Sequence, residues 1–336
     1  MARVRQISVI VEERSQVAEV RRETAALGAA LGFDQQTLGR LAIAVTETAT
    51  NIVKHAGRGR IFARALDAGP VDGLEIVAID RGPGMPNIAA GMADGYSTSG
   101  TPGNGLGSIL RMSAGFEIYS LPGRGTCQRF EVWPDARPRP ALPLESGVIT
   151  VPKSGETANG DTCAVSWHQS RSVVMVADGL GHGPDAAHAS QAAADVLLAR
   201  PEREAADAID AIHRALASTR GGAGAVATLD IGANVLKYCG VGNISGILYV
   251  DYKSRHLISH NGTLGHNARR IQQVEFDFPH GALLIMYSDG LATHWSLDDY
   301  PGLAARHPAL IAAALYRDHD RGRDDVSVVV MRNTAN

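Results

Sequence analysis

The sequence predicts an α+β protein of two domains. Three observations lead there. The chain has 336 residues, more than one ordinary hydrophobic core requires. A proline-rich segment, PDARPRPALPLES at residues 134–146, interrupts it with Pro134, Pro138, Pro140 and Pro143. On either side of that segment, helical and strand patterns come in blocks rather than in regular alternation. Proline fixes φ and removes a backbone donor, so neither a helix nor a central strand continues through such a run. It reads as a stiff, extended linker between residues 1–133 and 147–332.

In the first part, Arg5 to Val11 reads as a strand and Ser15–Leu31 as a helix. A second helix is expected over Asp34–Ala56, with Asp34 as N-cap and Leu38, Leu41, Val45, Ile52 and Ala56 at helical spacing. Strands follow at Ile61–Leu66 and Leu74–Asp80, then a Gly-rich loop from Gly82 to Gly107. A short helix at Ser108–Met112 and strands at Phe116–Ser120 and Thr126–Val132 close the domain. After the linker, strands are expected at Ala164–Trp167 and Ser172–Ala177, then helices at Ala186–Leu198 and Ala205–Thr219. Further strands are expected at Ala225–Ile231, Val235–Val241, Ser245–Val250, Leu283–Ser288 and Val326–Met331. Many strands with consecutive helices to one side suit a layered β-sandwich with flanking helices.

Composition narrows the function. Net charge is −3 and the basic residues are scattered, so no nucleic-acid partner is expected. No uncharged apolar stretch is long enough to span a bilayer, and the N-terminus MARVRQISVIVEERS carries charges inside its apolar run. No membrane association is expected, and the cytoplasm is the expected compartment. Cys127, Cys163 and Cys239 are far apart and odd in number, which argues against a disulfide framework or a zinc site.

Two constellations carry chemistry. In TETATNIVKHA, Glu47, Asn51 and His55 stand at i, i+4 and i+8 and share one helix face. The strand LEIVAID ends in Asp80 and turns through Gly82 and Gly84, which suits a carboxylate offered to an adenine amino group. Gly103, Gly105 and Gly107 then open a helix whose N–H groups favour phosphate. Any one of these motifs is weak; the ordered set of ExxxNxxxH, DxGPG, GxGLG and GxGT is specific. His55 and Lys54 are read either as phosphate contacts or as solvent-facing residues. After the linker come NGDTCAV with Asp161, VADGLGHG with Asp178, YSDGL with Asp289 and RDDVSVVV with Asp324 and Asp325. An isolated Asp-Gly is most simply a turn. Several carboxylates converging from strand ends repel one another unless a hard divalent cation is present, usually Mg²⁺ or Mn²⁺.

Residues 1–133 resemble the GHKL ATPase superfamily, in particular the RsbT-like serine kinases of anti-sigma regulation. MADGYSTSGTPGNGLGSILRM and FEIYSLPGRGT carry that resemblance. It implies a Bergerat-type α/β sandwich that binds ATP and Mg²⁺. Asn51 would hold the Mg²⁺ and Asp80 would contact adenine. Gly82, Gly84, Gly103, Gly105 and Gly107 would shape the pocket and lid, Thr126 would lie near the base, and Glu47 would orient the attacking serine hydroxyl. Residues 147–332 resemble PPM-type phosphatases of the SpoIIE/RsbX branch. That resemblance implies two ions of Mn²⁺ or Mg²⁺, with Asp178 bridging both beside the Gly179 carbonyl. Asp289 and Asp324 would complete one shell, Asp161 would lie in the outer shell of the other, and His182 is the candidate general acid. Asp325 is read as a turn cap and GVGNISG as structural. Gly160 precedes Asp161 where many eukaryotic relatives carry an acidic pair, which leaves the number of ions open.

Together the resemblances imply a cytosolic partner-switching regulator. It would phosphorylate Ser or Thr on a STAS-domain antagonist protein and dephosphorylate the same or a related phosphoprotein, controlling a sigma factor or another effector. A second reading stays open: the first domain binds ATP as an anti-sigma or effector-binding module, and only the phosphatase is catalytic.

Overall fold

The computed structural model describes residues 2–3, 6–66, 72–89, 105–134, 143–168 and 171–335. The chain divides into two compact units, Arg5–Arg139 and Pro140–Asn336, the second including Met1–Val4.

In the first unit, strand β2 (Gln6–Val11) leads into helix α1 (Arg14–Ala30) and then α2 (Gln35–Asn51). Asp34 caps α2 by accepting a hydrogen bond from the Thr37 N–H at 2.7 Å. The helix does not stop at Asn51 but loosens into a π-helical turn, Ile52–Ala56, and ends at Gly57 with φ 74°. Strands β3 (Gly59–Leu66) and β4 (Gly73–Asp80), helix α3 (Gly105–Met112) and strands β5 (Ala114–Leu121) and β6 (Gly125–Val132) follow. The five strands form one antiparallel sheet in the order β2-β3-β4-β6-β5. Leu41, Ala44, Val45 and Ala49 of α2 and Ile109 of α3 pack on Ile61, Ile76 and Phe130 of the sheet. This is the apolar stripe that the helical spacing predicts. Glu75 on β4 takes Arg64 of β3 at 2.5 Å and Arg129 of β6 at 3.0 Å, tying the three middle strands together.

The second unit is a sandwich. Its strands are β7 (Leu144–Val151), β8 (Asp161–His168), β9 (Arg171–Gly179), β10 (Gly222–Asp230), β11 (Val235–Val241) and β12 (Ser245–Val250). They continue with β13 (Lys253–Leu257), β14 (Ser259–His260), β15 (Val274–Asp277), β16 (Leu283–Tyr287) and β17 (Val326–Asn333). One sheet runs β1-β8-β9-β10-β11-β14, where β1 is Ala2–Arg3 and β15 also pairs with β11; the other runs β13-β12-β16-β17-β7. Val174, Val176, Leu229 and Tyr238 from the first meet Val148, Leu248, Met286 and Val329 from the second. Helices α4 (Pro184–Ala199) and α5 (Ala205–Ala215) cover the outer face of the first sheet through Ala193, Leu197, Ile209 and Ile212. Helix α6 (Pro308–His319) lies against β7 and β17.

The sequence reading differs from this fold in four places. Strand β7 begins at Leu144, inside the segment read as linker, whose residues 135–142 lie outside the described residues. Helix α6 was not expected: PALIAAALYR is buried on every side, so it shows no polar face to set a helical period. Strands β13 to β15 are short and largely polar. The two N-terminal residues pair with β8, so they belong to the second unit. Among the described residues no helix is long and apolar enough to cross a membrane.

Gly147 shows how tightly the outer layer is fitted. A β-carbon there would sit 2.2 Å from the Ala309 backbone nitrogen, where α6 begins its first turn against β7. The obstacle is backbone, which cannot rotate away. Gly147→Ala is expected to destabilise the second unit by about 1–3 kcal/mol, seen as a lower urea midpoint with unchanged slope.

Candidate functional sites

In the first unit the sequence-predicted residues converge from four elements. Glu47 and Asn51 lie on consecutive turns at the end of α2. The start of α3 lies against them: a β-carbon on Gly105 would be 3.4 Å from both amide atoms of Asn51 and 3.4 Å from Glu47 Oε2. A carboxylate and an amide thus face the N-terminus of a helix, where N–H groups are unpaired within the helix. Gly107 is buried two residues further on. Gly103 lies outside the described residues. Lys54 and His55 are exposed on the π-helical turn.

Asp80, at the end of β4, is held in one orientation: its Oδ1 accepts from the Gly82 N–H at 2.8 Å and the Thr126 N–H at 3.2 Å. Thr126 Oγ1 meets Ser120 Oγ at 3.0 Å, and Ser120 Oγ accepts from the Met85 N–H at 2.8 Å. Gly82 packs on Ala56, the last residue of the π turn. Gly84 takes φ 69°, and a β-carbon there would fall 2.1 Å from the Leu121 carbonyl oxygen. Only glycine fits that turn.

In the second unit, Asp178, Asp289 and Asp324 line one cavity of about 470 Å³, together with Asn243, Asn261 and Thr263. Asp178 closes β9, Asp289 follows β16 and Asp324 precedes β17. The Gly179 position next to Asp178 is pressed against α4: a β-carbon there would lie 2.0 Å from the Ala186 carbonyl oxygen. Asn243 Nδ2 donates to Asp289 Oδ2 at 2.6 Å. Asp161 is directly across the ladder from Asp178 but is buried beneath the cavity lining, where Ser288 Oγ donates to its Oδ2 at 2.6 Å. Asp325 is also buried; it accepts from the Lys153 N–H at 2.9 Å, while its Oδ2 has no partner among the described residues. His182 is not among the lining residues. It is half exposed, and its Nδ1 lies 2.7 Å from Glu156 Oε1.

Electrostatics follows from this crowding. Burial, then the charges of Asp289, Asp324 and Asp325, push the Asp178 carboxyl up to about 7. Burial and the neighbouring Asp178 hold Asp161 well above the usual carboxylate range, against the pull of its Ser288 hydrogen bond. Burial raises Asp325 as well, opposed by the Lys153 and Gly160 N–H groups. Among the described residues, no three carboxylate, imidazole or thiol groups close on one point as an ion's inner shell requires. The carboxylates instead stand apart around a shared cavity, as mutual repulsion dictates. Their chemistry nevertheless fits a hard divalent cation, since the donors are all oxygen and the charge is uncompensated.

The comparisons with known proteins agree with this division. Residues 10–130 match the family model described as histidine kinase-like ATPase domain. Over 96 residues the chain is 41% identical to serine/threonine-protein kinase RsbT of Bacillus subtilis (strain 168), covering 29% of this chain and 72% of RsbT. The chain belongs to the RsbT family. Its second half carries another domain: residues 168–334 match the model described as stage II sporulation protein E (SpoIIE). A solved structure described under the bacterial stressosome, a modular system adapted to control secondary messenger signalling, aligns with TM-score 0.54 and 26% identity, over 56% of this chain and 99% of that one. RsbX in complex with magnesium aligns with TM-score 0.50 and 20% identity, over 56% of this chain and 94% of RsbX, and shares the fold. The chain is therefore an RsbT-like ATPase domain fused to a SpoIIE/PP2C-type phosphatase domain, in mixed α+β architecture.

Sequence reasoning missed Asn243, Asn261 and Thr263 in the SpoIIE-like domain. Asn243 sits in the GVGNISG turn read as structural; its side chain instead restrains Asp289 at the cavity. The available signal was an Asn directly after a glycine at a strand end, the order that Gly160 and Asp161 also have.

The raised Asp178 gives a pH dependence whose sign is fixed. A carboxyl that holds its proton more tightly folded than unfolded stabilises the fold fully below the unfolded pKa, and that contribution is lost as pH rises through about 7. Chelated protein is therefore expected to melt at lower temperature at pH 8 than at pH 5.5. Adding Mn²⁺ at pH 8 should recover the loss. A melting temperature independent of pH over this window would contradict the clustering of charge.

Proposed function

We propose that the chain is a bifunctional partner-switching regulator, in which the RsbT-like domain is an ATP-dependent serine/threonine kinase and the SpoIIE-like domain a metal-dependent serine/threonine phosphatase. The observation that carries the reading is that each half brings together, from distant parts of the sequence, the acidic and amide groups its reaction needs. The partner that suits both halves is a STAS-domain protein that controls a sigma factor or another effector.

In the kinase half, Asp80 is oriented by two backbone donors to meet the adenine amino group, with Thr126 beside it. Asn51 would hold the Mg²⁺ that accompanies the ATP phosphates, and Gly105 and Gly107 would let the start of α3 approach them. Glu47, one turn before Asn51, would orient the attacking serine hydroxyl and accept its proton. In the phosphatase half, Asp178, Asp289 and Asp324, with the Gly179 carbonyl, would hold Mn²⁺ or Mg²⁺. Bound ions of this kind supply an activated water for in-line attack and neutralise phosphoryl charge. Asp161 supports that set from below, and Asn243 holds Asp289 in place. His182 lies outside the cavity lining, paired with Glu156, so the geometry favours a supporting role for it.

Two experiments follow. Glu47→Gln should lower phosphotransfer from ATP-Mg²⁺ to a STAS-domain substrate by about 10²–10⁴-fold while leaving nucleotide binding intact. If the wild type transfers no phosphate to any STAS protein encoded beside it, the kinase half of the proposal fails. For the other half, Asp178→Asn should abolish hydrolysis of a phosphoserine protein with the fold retained by circular dichroism, whereas His182→Ala should keep turnover within about tenfold of the wild type. Loss of turnover in His182→Ala comparable to that in Asp178→Asn would restore His182 as the general acid.

A further inference from the structure

The turn between α5 and β10 carries an arginine, Arg220, that no motif reading singled out. The residue two positions on, Gly222, lines the aspartate cavity, and so does Gly181 on the facing loop. The Arg220 guanidinium lies across Gly181: a β-carbon at that glycine would be 3.4 Å from Nη1. The charged group thus stands beside Gly181 at the edge of the cavity lining, which also carries Asp178, Asp289 and Asp324; Arg220 itself is not a lining residue.

The backbone that presents it is held on several sides. The Gly221 carbonyl accepts from the Leu180 N–H at 2.9 Å, and Gly222 exchanges two hydrogen bonds with Leu264, at 3.1 and 2.8 Å. The Gly221 N–H donates to Thr219 Oγ1 at 3.0 Å. His266 Nε2 lies 2.9 Å from the Arg220 carbonyl oxygen; because a carbonyl only accepts, this nitrogen carries the proton. The side chain itself is held far less firmly. Its partner is Asp185 Oδ2 at 2.8 Å, and both are largely in water, with 51% and 69% of their side chains exposed. Exposed pairs of this kind contribute little to stability.

A phosphorylated serine approaching the cavity brings negative charge towards three carboxylates. A cation fixed at the edge of the cavity offsets that repulsion along the entry path. A guanidinium does so with directed N–H donors that match phosphoryl oxygens, and a dianion competes well against one exposed carboxylate for them. We propose that Arg220 is a substrate-docking residue of the phosphatase half, which exchanges Asp185 for a phosphoryl oxygen of the incoming phosphoserine. The inference rests on the phosphatase reading above and names the group on this chain that captures the substrate's phosphate.

The test uses the full chain with Mn²⁺, p-nitrophenyl phosphate and a phosphoserine peptide as substrates, and inorganic phosphate as inhibitor. Arg220→Ala should raise KM for both substrates and Ki for inorganic phosphate by about tenfold or more, the scale of one charge-assisted hydrogen bond. Its kcat should stay within about threefold, because a docking group acts on binding more than on the chemical step. Arg220→Lys should recover part of the affinity, and Asp185→Ala, which frees the guanidinium, should lower KM. A second readout needs no turnover: inorganic phosphate should raise the melting temperature of the wild type and not that of Arg220→Ala. Unchanged KM and Ki in Arg220→Ala, a fall in kcat alone, or a rise in KM in Asp185→Ala would each overturn the proposal. If the wild type turns over no substrate, the phosphatase reading fails, and the phosphate-dependent melting shift still decides for or against Arg220.

Discussion

The SpoIIE-like domain is organised around the repulsion between carboxylates at the ends of neighbouring strands. Asp161 and Asp178 are cross-strand partners, Asp289 lies beyond β16, and Asp324 and Asp325 lead into β17. Like charges directly opposite each other weaken a sheet. The structure answers with neutral donors: Ser288 for Asp161, Asn243 for Asp289, the Lys153 N–H for Asp325. Such donors orient a carboxylate without cancelling its charge, which is why burial and mutual repulsion still dominate at Asp178. Closely fitted glycines make the approach possible. At Gly179 the chain passes a carbonyl of α4, and at Gly290 a β-carbon would lie 2.1 Å from the Asp325 carbonyl oxygen. Helix α4 and the adjoining ends of β16 and β17 are therefore drawn close beside Asp178 and Asp289.

The RsbT-like domain uses the opposite arrangement. Its polar groups are few and individually anchored rather than mutually repelling. Asp80 is fixed by two N–H groups. What assembles the site is the sheet and α2 together: Gln128 Nε2 on β6 donates to Thr48 Oγ1 on α2 at 3.0 Å, one residue after Glu47. That buried bond agrees with the rotation that the apolar stripe gives α2 over the sheet, which leaves Glu47 and Asn51 facing the start of α3. The π-helical turn beyond Asn51 shifts the following residues around the helix axis, and Lys54 and His55 become exposed.

Much of this was legible in the sequence because both sites are built on regular elements. The stripe of Leu41, Val45 and Ile52 set the face of α2, and the Asp-Gly pairs marked the strand ends of the sandwich. The misses share a cause. Helix α6 has no polar face, and β13 to β15 are short polar strands without alternation, so neither period appears. Asn243 reaches the cavity, and Arg220 its edge beside Gly181, through loop geometry set by contacts distant in sequence, from Asp289 at one and Leu264 and His266 at the other. Local pattern does not encode such contacts. His182 shows the converse: its motif placed it next to Asp178 and Gly179, but the loop turns its ring towards Glu156.

With both activities, one covalent chain would hold a kinase and a phosphatase at high effective concentration around the same partner. Affinity alone then does not set the direction of flux, because each site remains supplied by the product of the other. The partner's phosphorylation level depends instead on the ratio of the two turnover rates, and every complete cycle consumes one ATP. The two sites respond to different small species. On the proposed reading the first would depend on nucleotide and the second on a divalent cation among crowded carboxylates, so either species would change the ratio without any change in partner binding. As proposed, the exposed, weakly held Arg220 beside the second site would add discrimination at the point of entry, favouring the phosphorylated partner over the unmodified one. That keeps the phosphatase from being occupied by the molecules the kinase must still modify.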